Sequence, residues 1–214
     1  EERRLYDVAI RGAHNWVTVA PHAIYYRSVW DTIGIAHISD LHVARRIDGF
    51  AAALARAGHE QANERLINMN DQFRHVVKYA NRLHDEGHLD LIVATGDLID
   101  YQYERDDNRR GLGNVGFLRD LLLGRSTSNS CPAVEELRVP ILLTPGNHDY
   151  RKNHYHLVFD VNEVRTDITR VRNFSNLGIT EKEAAALGNE LYFPGRSHVP
   201  NLGAGRAMAM IDFF

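Results

Sequence analysis

Apolar positions follow two rhythms along the chain. Compact apolar runs at 33–38 (IGIAHI), 89–95 (LDLIVAT) and 141–144 (ILLT) have the near-continuous character of strands buried on both faces. Between the first two, Ala62, Leu66, Met69, Phe73, Val76, Ala80 and Leu83 recur at alternating spacings of four and three. That is one stripe of an amphipathic helix, and Gly87 ends it. A polar loop over 102–110 leads to a second expected helix around 114–123, and Pro140 opens the third strand. Strand, helix, strand, helix, strand predicts an α/β fold with a parallel sheet covered by helices.

The flanks carry weaker patterns. WVTVA (16–20) and AIYYRSVW (23–30) read as short strands in a lead-in segment over 1–32, and the main domain runs over 33–214. Residues 47–59 are Ala-rich with Gly58, which suggests a loop and a short helix. Residues 151–178 are mixed. A helix is expected over 180–188, with Thr180 as N-cap, Glu183 completing a capping box and Gly188 at the end. RAMAMIDFF (206–214) reads as a final strand.

Each of the three central strands ends in polar residues: Asp40-x-His42, Gly96-Asp97, and Gly146-Asn147-His148-Asp149. In an extended chain residues i and i+2 share a face, so Asp40 and His42 can reach one point. In open α/β sheets ligands bind beyond the carboxyl ends of the strands, where all three clusters fall. Carboxylate, imidazole and amide oxygen without thiolate suit Mn²⁺, Fe²⁺ or Zn²⁺. Asp97, on the middle motif, is the natural bridge between two such ions. His148 would stand beside them as a proton donor or charge stabiliser, with Asp149 placed to orient it. The competing reading makes these residues strand-end caps and turn formers, which does not call for D-x-H.

SDLH at 39–42, GDLID at 96–100 and PGNHD at 145–149, in this order and each after an apolar strand, resemble the calcineurin-like metallophosphoesterases. The resemblance covers residues 33–150. It implies a layered α/β/β/α sandwich and a dinuclear site in which Asp40 and His42 bind one divalent transition metal ion, Asp97 bridges and Asn147 binds the second. It also implies hydrolysis of phosphomonoesters or phosphodiesters by a metal-bound hydroxide, with His148 assisting.

The family pattern continues with an H-x-P histidine and a G-H-x-H pair after a later strand, and this chain has no G-H-x-H. SHVP at 197–200 mimics the first, but it precedes RAMAMID rather than following it, so His198 is not read as a ligand. The domain is therefore expected to continue past Phe214, and a 214-residue fragment alone is expected to be impaired. Within it, the ion at Asp40 and His42 should be the better occupied. If the histidines are absent altogether, the alternative is a non-catalytic binding or scaffold protein of the same fold.

Other features narrow the reading little. Net charge is −3, from 25 Lys and Arg against 28 Asp and Glu, which offers no general attraction for nucleic acid and little support for a nuclease. One cysteine, Cys131, permits no intrachain disulfide and fits a cytoplasmic setting. No apolar run reaches the roughly 20 residues of a membrane span. The substrate and oligomeric state are not encoded in any motif. His37 is expected to be a packed, hydrogen-bonded strand residue, and His59, His75, His84 and His88 surface or packing residues. His154 and His156, and Arg105, Arg109 and Arg110 beside Asp106 and Asp107, read as solvated loop. Asp100 reads as a supporting residue.

Overall fold

The computed structural model describes residues 3–12, 17–101, 113–149 and 180, with the backbone of 158–161 and 164–167. The expected loop over 102–110, the strand over 206–214, the helix over 180–188 beyond Thr180, and His154, His156 and His198 lie outside the described residues.

The three apolar runs form one parallel sheet. Strands β3 (Ile35–Ser39), β4 (Leu91–Thr95) and β5 (Ile141–Thr144) lie side by side with β4 in the centre. The crossovers carry helices α1 (Arg45–Arg56), α2 (Glu60–Arg65), α3 (Met69–Asp85) and α4 (Asn114–Leu122). Ile92 and Ala94 of β4 bury one sheet face against Phe73, Val77 and Ala80 of α3 and Val115, Phe117, Leu118 and Leu121 of α4. The other face presents Ile35, His37 and Leu142 exposed. The mixed α/β architecture is thus the expected one.

An antiparallel hairpin, β1 (Arg4–Arg11) with β2 (Val17–Tyr26), precedes this sheet. Pro21 lies inside β2, where it cannot donate to a ladder, and the register shifts between Tyr6 and Val8 opposite it. The hairpin is fastened to the base of β4 by charge: Arg3 (3.1 Å) and Arg27 (2.8 Å) both reach the buried carboxylate of Asp90. A second short hairpin joins β6 (Val158–Val161) to β7 (Val164–Asp167). No helix among the described residues is long and apolar enough to cross a membrane.

Two helices depart from the expected pattern. Residues 45–56 form a full helix, because Ile47, Phe50 and Leu54 make one buried face. The long stripe from Ala62 to Leu83 is broken into α2 and α3. Leu66 is extended (φ −65°, ψ 121°), and Asn68 caps α3 by accepting from the N–H groups of Asn70 and Asp71. A strong N-cap competes with helix continuation in a way that apolar spacing does not register. The buried face of α3 also runs through Val77 rather than Val76, which is 36% exposed.

Polar side chains of α3 are used as internal ties. The amide of Asn70, fully buried, accepts from the Ala44 N–H (3.0 Å) and donates to the Ala44 carbonyl (2.8 Å). This fixes the chain two residues after His42. Asn70→Ala is expected to destabilise the fold by about 1–3 kcal/mol: the buried Ala44 N–H loses the Asn70 side chain, while the Ala44 carbonyl keeps the Ile47 N–H. Denaturant unfolding measures it, and a loss below 1 kcal/mol would contradict the tie. The Arg74 guanidinium bonds Asp48 (2.6 Å) and Asp71 (2.7 Å), joining α1 and α3. His84, buried, bonds the Leu89 and Arg3 carbonyls, a packing role as expected. Burial and the nearby Asp71 push the Cys131 thiol up, so it stays protonated at neutral pH and is a poor nucleophile.

Candidate metal centre

The ladder between β3 and β4 does not stop where the strands do. The N–H groups of Asp40, His42 and Val43 donate to the carbonyls of Gly96, Asp97 and Leu98, and Asp100 N–H donates back to Val43. The loops leaving the two strands are therefore zipped together for several residues, and their polar side chains converge. Gly96 adds a bond to Thr144 of β5, which brings in the third loop.

The zipping requires unusual backbone. Asp40 (φ 54°), His42 (φ 45°) and Asp97 (φ 47°) are all left-handed, as is Gly96 (φ 76°). Non-glycine residues adopt this region at a cost, and Asp, Asn and His tolerate it best. Gly146 answers a different demand, which is space. A Cβ there would run into the Asp97 amide nitrogen and carboxylate and the Gly96 Cα.

Asp40, His42 and Asp97 offer donor atoms that all lie within 4.8 Å of one another. His42 Nε2 stands 3.8 Å from Asp40 Oδ1 and 3.9 Å from Asp97 Oδ2. Two donors each about 2.0–2.2 Å from a common ion can stand up to roughly 4 Å apart, so the spacing fits a shared cation. The donor chemistry, two carboxylates and an imidazole, fits it too. His42 and Asp97 are mostly buried, while the Asp40 side chain is 69% exposed, so the centre opens to solvent at Asp40.

A second group, His42, Asp100 and His148, is as tight and more buried. It is a poorer cation site, because the Arg46 guanidinium lies 2.7 Å from Asp100 Oδ2 and already neutralises that carboxylate.

The third loop folds over the second. His148 N–H donates to Asp97 Oδ1 (2.9 Å). Asn147, exposed, lies between His148 and Gly146, the residue packed on Asp97. The His148 ring is buried and packs edge-on against His42, with centroids 4.7 Å apart. Its Nδ1 is 3.0 Å from the Asp100 carbonyl. A carbonyl only accepts, so Nδ1 carries the proton in this bond.

Asp149 is wholly buried and binds backbone: Oδ1 accepts from Ile99 N–H (2.8 Å) and Oδ2 from Gly146 N–H (2.6 Å). It ties the third loop to the second, while the carbonyl that accepts from His148 Nδ1 is that of Asp100. Burial pushes the Asp149 carboxyl up; backbone donors at Ile99, Gly146 and Leu98 oppose the rise, and the charge of Asp97 adds to it. His37 is hydrogen-bonded to the Thr95 hydroxyl (2.6 Å), as expected of a strand histidine, but it is exposed rather than packed.

Arg46 and Asn70 carried no motif. The one signal for Arg46 is positional: it shares a helix face with Phe50 and Ala53, an odd place for a charge without a buried partner. For Asp100 the signal is its place in GDLID, three residues after Asp97.

Comparison with curated proteins and with solved structures gives no match. The profile of the calcineurin-like phosphoesterases matches residues 33–201, which takes in the parallel sheet and all three polar loops. The chain belongs to the calcineurin-like phosphoesterase family.

Proposed function

We propose that this chain is a metal-dependent hydrolase of phosphomonoesters or phosphodiesters, working at a dinuclear centre of Mn, Fe or Zn ions. The observation that supports it most is the convergence of Asp40, His42 and Asp97 at the carboxyl end of the sheet, with donors spaced for one cation. Asp40 and His42 would hold one ion, Asp97 would be shared, and Asn147 would hold the second. When bound, the ions supply Lewis-acid activation of the phosphoester and of the attacking water.

The chain's own residues do the rest. Asp97 keeps its orientation because His148 N–H occupies Oδ1. His148 donates from Nδ1 to the Asp100 carbonyl, and with a second proton on Nε2 the ring would give that proton to the leaving oxygen. Asp149 holds the second and third loops in register through backbone bonds. The exposed side of Asp40 leaves a route for the phosphoester, its proposed substrate.

The test is hydrolysis of a generic aryl phosphate and an aryl phosphodiester, with metal content measured in parallel. Chelation should abolish turnover, and Mn²⁺ or Zn²⁺ should restore it. Bound metal without turnover on a broad phosphoester panel, in the natural full-length protein, would favour the scaffold reading instead.

A further inference from the structure

We propose that Arg46 is a positioning residue for the His148 imidazole, acting through Asp100; this rests on the reading of His148 as the group that assists hydrolysis. Arg46 is the second residue of α1 and its side chain is 5% exposed. Its Nη2 (2.7 Å) and Nε (3.3 Å) both donate to Oδ2 of Asp100, and its guanidinium lies 5.7 Å from the centre of the Tyr101 ring. Asp100 is 1% exposed.

Asp100 is thus gripped at both ends. Its carboxylate is held by Arg46, its N–H by the Val43 carbonyl (3.0 Å), and its own carbonyl accepts from His148 Nδ1 (3.0 Å). Two donors on one oxygen set the carboxylate's rotation and leave Oδ1 facing His148 Nδ1 at 4.0 Å. A planar fork fixes an acceptor in this way, whereas a single ammonium would not. The imidazole therefore meets a carbonyl and a carboxylate edge on one nitrogen, both favouring N–H there. The ring so held packs edge-on against His42.

The placement also couples the helix to the chemistry. α1 begins three residues after His42, so one short stretch carries a proposed metal ligand and the residue that aligns the proposed proton donor. A buried ion pair that served packing alone would leave the imidazole's tautomer indifferent to the arginine.

The experiment compares wild type with Arg46→Met, Arg46→Gln and Arg46→Lys. Nitrogen-15 NMR of the His148 ring in the metal-free protein reads the tautomer, and steady-state kinetics on an aryl phosphate read kcat and KM. In its neutral form the wild-type ring should show a single Nδ1–H tautomer. The Met and Gln variants should show a shift toward a tautomer mixture and a kcat lowered about 10–100-fold, the usual effect of losing a support behind a catalytic group. KM should stay within about twofold, since no substrate contact is removed. Lys, which keeps the charge but not the fork, should fall between wild type and the Met and Gln variants in both kcat and ring spectrum. If Met does not fold, Gln carries the comparison. A folded Met or Gln variant with the wild-type ring spectrum would overturn the proposal, and so would loss of folding in both alongside an unchanged spectrum in the Lys variant. A wild type that never hydrolyses phosphoesters would overturn the functional reading instead, and the ring spectra would still decide the role of Arg46.

Discussion

Asp97→Asn should lower kcat/KM on an aryl phosphate by about a thousandfold or more, on the order of 4 kcal/mol of transition-state stabilisation, and should strip the centre of bound metal. The substitution is chosen because it removes charge and little else. Asparagine tolerates the left-handed φ of 47° found at this position. Its side-chain oxygen can still accept from His148 N–H, which now donates to Asp97 Oδ1 at 2.9 Å. The turn should survive, with thermal unfolding of the metal-free protein close to wild type. Metal analysis and kinetics together then report the lost anion and not a lost fold. Wild-type metal stoichiometry with wild-type turnover in this variant would remove the basis of the proposed function.

The second large effect is expected at Gly146, where one methyl group is enough. A Cβ at 146 would be driven into the Asp97 amide nitrogen, its carboxylate and the Gly96 Cα. Two of those three are backbone atoms, zipped to β3 and β5 by hydrogen bonds, and cannot swing aside. Gly146→Ala should therefore push the second and third loops apart, destabilising the fold by about 1–3 kcal/mol as overpacking does. It should also weaken metal binding roughly 10–100-fold through the displaced Asp97. Gly58→Ala is the control. Gly58 has φ 75° with open space around its missing Cβ, so alanine there should cost stability but leave metal affinity unchanged. Calorimetric metal titration separates the two, and equal metal affinity in both variants would contradict the packing argument.

The parallel sheet and its polar ends were legible in the sequence because apolar strands buried under helices cannot hide a carboxylate at their carboxyl end. Asp40, His42 and Asp97 each stand out against a run of Ile, Ala, Val and Leu. The break between α2 and α3 was not legible, since the apolar spacing passes through Leu66 and Met69 undisturbed while Asn68 decides the matter by a local hydrogen bond. The division of labour between Asp100 and Asp149 was also hidden. Both are acidic, both flank a motif, and only the return of the third loop over the second decides which one meets the imidazole. The anchoring of the first hairpin had no periodic signature either, because Arg3, Arg27 and Asp90 meet from three separate stretches.

The left-handed backbone at Asp40, His42 and Asp97 has a consequence for how this chain responds to selection. Each such residue carries strain of about 1–3 kcal/mol that glycine would relieve. In a library screened only for surviving heat, these three codons should drift toward glycine, first at Asp40, whose exposed side chain gives up the least packing. In a library screened for turnover the same codons should stay fixed. The two rankings should oppose each other at these positions, while at a core residue such as Leu54 or Leu118 both screens should keep a large apolar side chain.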